Sequence, residues 1–151
     1  MSQNQRRIAK EIKDFQTKPP AGITARPIKD DDIFTWKGTI QGPEGTVYEN
    51  GIFHVKISLP PDYPYKAPFL CFDPPVYHPN VDQKTGQACL EILDKGWAPT
   101  VMLTKVLIQV RDLLANPAPA HAVDNSIGEE FVNNRAEFDR KAREWTSKNA
   151  K

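Results

Sequence analysis

The sequence has few cysteines, few histidines and no long apolar run. Cys71 and Cys89 are its two cysteines, and their number and spacing fit neither a disulfide framework nor a metal-ligand motif. The first residues, MSQNQRRIAKEIK, lack the apolar core of a secretion signal, and no stretch approaches the length that spans a membrane. We therefore expect a soluble protein of a reducing intracellular compartment, with no metal and no cofactor.

An excess of either charge is also missing. The chain carries 20 basic and 19 acidic side chains among its 151 residues, for a formal net charge of +1. This balance gives no reason to expect binding to nucleic acid or to a membrane. With 39% hydrophobic residues, the chain has enough apolar material for one core. We expect a single domain, residues 1–151, and a monomer.

The N-terminal half has the pattern of one helix followed by four strands. Ser2 and Gln5 have capping-box spacing, and Pro19 ends the helical pattern. Apolar and polar residues then alternate, most clearly from Phe53 to Leu59. The strand-like runs lie at 23–26, 33–40, 53–59 and 69–72, which predicts a four-stranded antiparallel meander.

The C-terminal third has helical periodicity. Apolar residues recur at helical spacing from Leu103 to Leu114, and Ser126 and Asn134 each stand three residues before a glutamate, as at a helix start. Helices segregated from strands predict an α+β fold, with the helices over one face or end of the sheet. Ile108 lies off the apolar stripe, beside polar residues that include Asp112, which indicates a docking surface there.

An irregular segment, residues 77–99, separates the strands from these helices and has the sequence YHPNVDQKTGQACLEILDKGWAP. Proline and glycine interrupt every regular pattern in it. A long irregular segment inside a compact domain is usually either functional or disordered. Because apolar residues anchor this one, we expect it to be ordered and functional.

Cys89 is the candidate nucleophile of this segment. A cysteine hydrolase needs a histidine base paired with its thiol, but His78, next to a proline in a turn, is better explained as a hydrogen-bonded structural residue. Glu91 disfavours the thiolate, which is the reactive form. Attack on an already activated thioester asks less of the thiol, so the segment fits an acyl carrier better than a hydrolase. A metal site from Cys71, Cys89, His78 and His121 would need a coincidence of folding.

Asn80 is a second candidate, with two roles left open. Its side-chain amide has two N–H donors. They can stabilise the oxyanion formed when an amine attacks a thioester, an effect of about 3 kcal/mol by comparison with other oxyanion holes. The same amide can instead bond the local backbone and hold the loop, as asparagine does in turns.

The segment resembles the active-site segment of ubiquitin-conjugating enzymes in its His-Pro-Asn triplet, its G-x-x-C-L-x-I-L run and its W-x-P. The likeness extends through W-x-x-x-I-x-G-P-x-G-T-x-Y, from Trp36 to Tyr48, to A-R-E-W-T near the C-terminus. It implies the fold of that family, with an N-terminal helix, a four-stranded meander, a long active-site loop, a central helix and two C-terminal helices. It also implies a cytoplasmic or nuclear protein.

The resemblance implies the chemistry as well. Cys89 would accept the C-terminal glycine of ubiquitin as a thioester from the activating enzyme, and a ligase would promote transfer to a lysine. On this analogy Asn80 stabilises the oxyanion or holds the active-site loop, and His78 shapes that loop.

Partner-binding surfaces follow from the same likeness. The activating enzyme and ligases are expected on the basic, solvated face of the first helix and on two loops, and ubiquitin on the central helix and on the back of the sheet. The residues implied for the first group are Arg7, Lys10, Tyr65, Ala98, Pro99 and Thr100. Those implied for ubiquitin are Ile108 with its neighbour Asp112, and Thr24.

Two positions depart from the family pattern. Many members have an acidic gate residue after the Asn-Pro-x-Pro turn, where this chain has His121, and some members with histidine there prefer a ligase cysteine as acceptor. Many lysine-reactive members have aspartate two residues after the cysteine, where this chain has Glu91. We therefore expect thioester formation, with direct transfer to lysine dependent on Glu91 or on Asp124, which replaces the gate acid if the loop shifts.

Three alternatives compete with this interpretation. The first is a carrier of a ubiquitin-like modifier of the SUMO or NEDD8 type. The second is a non-catalytic ubiquitin-binding variant, a class that lacks the cysteine and is therefore disfavoured by Cys89. The third is a cysteine hydrolase, weakened by the absence of a compelling histidine partner.

Overall fold

The sheet is a four-stranded antiparallel meander. In the computed structural model, which describes residues 2–151, the strands follow one another in the sheet order β1-β2-β3-β4. They are β1 (Ile23–Lys29), β2 (Asp32–Gln41), β3 (Ile52–Ser58) and β4 (Phe69–Phe72). The predicted meander is confirmed, although β1 runs on to Lys29 instead of ending near residue 26.

Strand β3 shows why one face of the sheet is buried. Phe53, Val55 and Ile57 are almost fully buried, whereas His54 and Lys56 between them are exposed. Aromatic and β-branched side chains fit a pleated surface, and successive side chains point to opposite faces. A shift of register by one residue would expose this apolar set, so the alternation fixes which face meets the core.

Within residues 2–151, four α-helices are present. They are α1 (Gln3–Thr17), α2 (Leu103–Ala115), α3 (Asn125–Asn133) and α4 (Arg135–Asn149). The predicted capping box of α1 forms, since Ser2 Oγ accepts from Gln5 N and Gln5 Oε1 accepts from Ser2 N. Among the described residues, no helix is long and apolar enough to cross a membrane.

The prediction that Ser126 begins α3 is wrong. The cap is Asp124, whose Oδ1 accepts a hydrogen bond from Ile127 N at 2.9 Å. A carboxylate satisfies an N–H group there and also interacts favourably with the positive end of the helix. The next helix does begin after Asn134, but in the part of the chain described the Asn134 side chain makes no capping hydrogen bond.

The core lies between the inner face of the sheet and the helices. Helix α2 buries the predicted stripe, with Leu103, Val106, Leu107, Val110 and Leu114 inside. Ile108 is 43% exposed on the opposite side of this helix. Burial of such side chains is the main favourable term in folding, and here it fixes α2 as the platform behind the irregular segment.

Gly86 ties the irregular segment to strand β4. Phe72 N donates to Gly86 O at 2.7 Å. Gly86 has a φ of +78°, and a Cβ built there would lie 1.9 Å from Phe72 O. Glycine alone adopts this conformation freely and allows so close an approach of two backbones.

We expect Gly86→Ala to destabilise the protein by at least ~3 kcal/mol, because the added methyl group must push the backbone of β4 away. Gly45→Ala is the matched control. Gly45 has a φ of +76°, but among the described residues nothing lies within 4 Å of its built Cβ. The control therefore loses only about 1 kcal/mol for its left-handed conformation. Urea denaturation measures both variants, and equal losses would contradict the role of the Gly86 contact.

Candidate active site

Cys89 lies in an extended run, residues 87–89, beside the outer edge of β4. Its side chain is exposed, whereas the neighbouring Ala88 and Leu90 are buried. Gln87 pairs with Cys71 of β4, and Cys89 N donates to Asn80 O at 2.9 Å. The thiol is therefore accessible while the backbone that carries it is fixed.

His78 is fully buried and hydrogen-bonded through both ring nitrogens. Asn80 N donates to His78 Nδ1 at 2.9 Å, and Nε2 lies 2.8 Å from Leu113 O. Because Nδ1 accepts from an N–H group, Nε2 carries the proton and donates to the carbonyl. Burial lowers the pKa of His78 to about 4, so the ring is neutral near pH 7 and joins the active-site loop to the end of α2.

The Asn80 side chain joins the Cys89 run to the turn that carries His121. Its Oδ1 accepts from Ala118 N at 2.8 Å, and its Nδ2 donates to Ala118 O at 2.9 Å and to His121 O at 3.1 Å. Ala118 N can only donate, which fixes the orientation of the amide. Both amide hydrogens are taken, so this geometry favours the loop-holding role, and an oxyanion role would require Asn80 to release a carbonyl.

The predicted gate position is His121, at the start of the stretch that leads into α3. His121 is exposed at the end of a short 3-10 turn, Pro119–His121. Pro79 O accepts from Val123 N at 2.8 Å and from Asp124 N at 3.1 Å, while the Asp124 carboxylate caps α3. Moving Asp124 to the gate would break that cap, at a cost of about 1 kcal/mol.

A cleft of about 520 Å³ opens beside Cys89. Phe69, Leu93 and Val123 are among its apolar lining residues, and Asp82 and Asp94 are its acidic ones. Hydrogen bonds from the backbone of residues 84 and 85 lower the pKa of Asp82, so this carboxylate is ionised at neutral pH. Glu91 is exposed in the 3-10 turn Glu91–Leu93, which directly follows the cysteine run.

The prediction that Arg7 lies on the solvated face of α1 is wrong. Its side chain is 18% exposed and pairs with Glu11 at 3.2 Å. The guanidinium also donates to Pro99 O and, at 2.6 Å, to Val101 O, and it lies over the ring of Tyr63. Planar N–H donors suit this bridging task, so Arg7 ties α1 to the loop before α2.

Glu11 is a buried site residue that the sequence analysis missed. It is 1% exposed, and its carboxylate accepts from Leu103 N at 2.7 Å, from the Tyr63 hydroxyl and from Arg7 Nε. Burial, and then the adjacent Glu11, raise the pKa of Tyr63, so the tyrosine remains a donor. The signal in the sequence was an acidic residue three positions after Ile8, on the apolar stripe of α1.

Most of the other predicted docking residues are exposed. Tyr65 is 66% exposed, Ala98 is half-buried, and the Thr24 hydroxyl lies 2.6 Å from that of Thr39 on the outer face of the sheet. The further exposed members are Lys10, Pro99, Thr100, Ile108, Asp112 and Thr24.

Cys71 is half-buried and free, and burial raises the pKa of its thiol, which keeps it protonated and poorly nucleophilic at neutral pH. Across residues 2–151, no three His, Cys, Asp or Glu side chains are grouped so that they could hold a metal ion.

Comparison with known proteins relates this geometry to one family. The family model described as ubiquitin-conjugating enzyme matches residues 7–146. The chain is 45% identical over 148 residues to ubiquitin-conjugating enzyme E2 1 of Schizosaccharomyces pombe, covering 97% of this chain and 68% of that protein. It is 38% identical over 146 residues to ubiquitin conjugating enzyme E2 B of Dictyostelium discoideum, covering 97% of each.

A solved structure shares the fold. The E2 domain of a Toxoplasma gondii ubiquitin conjugating enzyme superposes with a TM-score of 0.90 at 37% sequence identity, covering 97% of this chain and 99% of that one. The predicted fold class, an α+β domain of this family, is thereby confirmed.

We expect His78 to make the folded state sensitive to mild acid. An unfolded histidine has its ordinary pKa, ~6.5, while burial holds the folded pKa at about 4. The stabilisation is therefore complete above pH 6.5 and is lost as the pH falls towards 4. Between pH 7 and pH 5 the free energy of unfolding falls by about 2 kcal/mol on this account.

Urea denaturation across this pH range measures the loss. His78→Gln keeps a donor and an acceptor but does not titrate, so its loss over the same range is smaller by about 2 kcal/mol. His54→Gln, at an exposed position, is the control and retains the full loss. The same acid sensitivity in His78→Gln and in the unmodified protein would show that His78 is not its source.

We expect Asn80→Ala to lower the free energy of unfolding by about 3 kcal/mol, because three hydrogen bonds are lost and backbone groups of Ala118 and His121 are left unpaired. Hydrogen exchange of the Ala118 amide accelerates for the same reason. Asn149→Ala, which removes an exposed asparagine bonded to Trp145 O, is the control and changes stability by less than ~0.5 kcal/mol. Unchanged stability of Asn80→Ala would contradict the loop-holding role.

Proposed function

The chain belongs to the ubiquitin-conjugating enzyme family, a family of transferases, and we propose that its Cys89 carries ubiquitin as a thioester. The observation behind this proposal is an exposed thiol on a rigid backbone: Cys89 is exposed, and Asn80 O holds its N–H. Reaction with an activated thioester needs an accessible sulfur more than a dedicated base, which matches this arrangement.

In the loading step, Cys89 Sγ attacks the carbonyl carbon of the C-terminal glycine of ubiquitin, held as a thioester by the activating enzyme. A new C–S bond forms, the old C–S bond breaks, and the activating enzyme's sulfur leaves with the electron pair and takes up a proton. In the transfer step, a lysine amine or a ligase thiol attacks the same carbon. Cys89 then leaves as the thiolate, and the attacking group loses its proton, an amine to a nearby carboxylate and a thiol to solvent; that proton finally returns to the thiolate of Cys89 or to solvent.

The choice between lysine and cysteine acceptors depends on the carboxylates near Cys89. An attacking amine must lose a proton, for which a nearby carboxylate is a suitable acceptor. Asp124 is held by its capping bond, whereas Glu91 is exposed directly after the cysteine run. We therefore assign the assistance of aminolysis to Glu91, with Asp124 as a substitute only when α3 loses its cap.

A hydrolase is less well supported than a carrier. Such an enzyme needs a histidine base beside the thiol, and both nitrogens of His78 are bonded to backbone groups. The presence of Cys89 also argues against a non-catalytic ubiquitin-binding variant. A carrier of a ubiquitin-like modifier is the remaining alternative, and a loading assay with each modifier distinguishes it from a carrier of ubiquitin.

Family members interact with ubiquitin, an activating enzyme and ligases. On this chain we propose that the enzymes bind Lys10, Tyr65 and the loop of Ala98, Pro99 and Thr100. Arg7 contributes by holding that loop, since it donates to Pro99 O and Val101 O. We propose that thioester-linked ubiquitin packs on Ile108 and Asp112, and that a second ubiquitin binds the face that carries Thr24. Because Cys89 acts as a free thiol, a reducing compartment, the cytoplasm or nucleus, is the proposed location.

We expect incubation with activating enzyme, ATP and ubiquitin to give a single thiol-sensitive adduct on non-reducing gels. The adduct is absent in Cys89→Ala and remains in Cys71→Ala, the matched control at the half-buried thiol. Loading by a SUMO- or NEDD8-type modifier and its own activating enzyme, but not by ubiquitin, would select the alternative carrier. Failure with every modifier would refute the carrier function.

A chase of the loaded protein separates the two kinds of acceptor. We expect Glu91→Gln to slow discharge to free lysine by at least ~10-fold, the low end of what a general base contributes, and to leave discharge to free cysteine within twofold, since a thiol ionises more readily. Glu129→Gln, at an exposed position of α3, is the control. Equal slowing for both acceptors would contradict the assigned role of Glu91.

A further inference from the structure

Phe69 is an exposed aromatic residue that the proposed reaction has not used. It is 59% exposed at the first position of β4, the strand at the edge of the sheet. Leu70 and Phe72 of the same strand are buried, so alternation directs Phe69 outward. A single exposed apolar residue is ordinary, and its position relative to Cys89 is what gives it significance.

Strand pairing and a shared cleft place Phe69 near Cys89. Cys71 faces Gln87 in an antiparallel bridge, and the hydrogen bond from Phe72 N to Gly86 O has the same register. From this pairing the two chains run on to Phe69 and to Cys89, each two residues further along. Both residues line the same cleft, so the ring and the thiol border one space.

The cleft around them has a definite chemical character. Phe69 and Cys89 line the cleft of about 520 Å³ together with Leu93 and Val123, and Val123 is itself 41% exposed. The charged lining residues are Asp82 and Asp94, and among those described no Lys, Arg or His lines it. Such a surface fits a segment that combines an apolar side chain with a positive charge and disfavours an acidic one.

We propose that Phe69 and Val123 bind an apolar side chain that directly flanks the acceptor's nucleophilic residue, while Asp82 and Asp94 select against acidic flanking residues. The inference rests on the proposed function, since the acceptor attacks the thioester on Cys89. The donor ends in glycine, which has no side chain to occupy an apolar wall. The acceptor's neighbouring residues do have side chains, and a lysine acceptor brings the positive charge that the carboxylates attract.

The test is a single-turnover chase of the loaded full chain with short peptides. Each peptide contains one nucleophile, either lysine or cysteine, flanked on both sides by leucine, by serine or by glutamate. Each rate is divided by the rate with the free amino acid for the same variant, so that any general effect on the thioester cancels. The cysteine series gives the result even if lysine is attacked too slowly to measure.

We expect leucine-flanked peptides to react ~5–10-fold faster than serine-flanked ones, as contacts with a hydrophobic wall allow, and glutamate-flanked peptides to react ~3-fold more slowly than serine-flanked ones. Phe69→Ala reduces the leucine-to-serine ratio below about 2, whereas Phe69→Leu, which keeps an apolar side chain, retains most of it. Ile52→Ala, an exposed apolar position on β3 outside the cleft, is the control and retains the full ratio.

A ratio near one in the unmodified protein, or a ratio unchanged in Phe69→Ala, would overturn the inference. Slower loading of Phe69→Ala with an intact ratio would also overturn it, because the ring would then serve the donor. If the proposed function itself is wrong, the unmodified protein does not load at all. The three results above are obtained only with protein that loads, so the two kinds of failure can be told apart.

Discussion

The candidate active site depends on the hydrogen bonds of one triplet, His78, Pro79 and Asn80. Asn80 O holds the N–H of Cys89, the Asn80 side chain holds the turn that carries His121, and His78 joins the triplet to the end of α2. Pro79 O accepts from the two residues that lead into α3. All three residues are buried, where a polar group must be bonded to be tolerated. Cys89, the turn of His121 and the central helix are therefore positioned by one set of contacts.

A second buried group positions the surface on which partner enzymes are proposed to bind. Glu11 bonds the first N–H of α2 and the Tyr63 hydroxyl, and Arg7 extends the cluster to the carbonyls of Pro99 and Val101. A buried carboxylate is strongly disfavoured unless it is paired and hydrogen-bonded, and here it has three donors. The loops that carry Tyr65 and Thr100 are thus fixed relative to α1 and to each other, so a partner meets a preformed surface.

Local pattern was enough to predict the elements but not their long-range partners. The alternation in β3, the stripe of α2 and the capping box at Ser2 are periodic or short-range features, and all three formed as predicted. The bridging position of Arg7 could not be predicted in this way, because the carbonyl groups that it binds lie more than ninety positions along the chain. Helical periodicity does not encode such distant contacts. The prediction of the capping residue of α3 was wrong because Ser126 and Asp124 are both good caps by residue type. Only the path of the chain decides between them. The position of Phe69 near Cys89 depends on the pairing of β4 with Gln87 and on the cleft that Phe69 and Cys89 both line, and no local pattern in the sequence predicts either.

The run that carries Cys89 also covers the outer edge of β4. An uncovered sheet edge offers unpaired backbone groups on which a second chain can add a strand, the first step of aggregation. The run that carries Cys89 therefore also protects the edge of the sheet, and a movement of this run away from β4 would expose that edge. This cover is formed by backbone groups of Gly86 and Gln87 and not by the thiol, so a substituent on the exposed sulfur would leave the pairing that protects the edge in place.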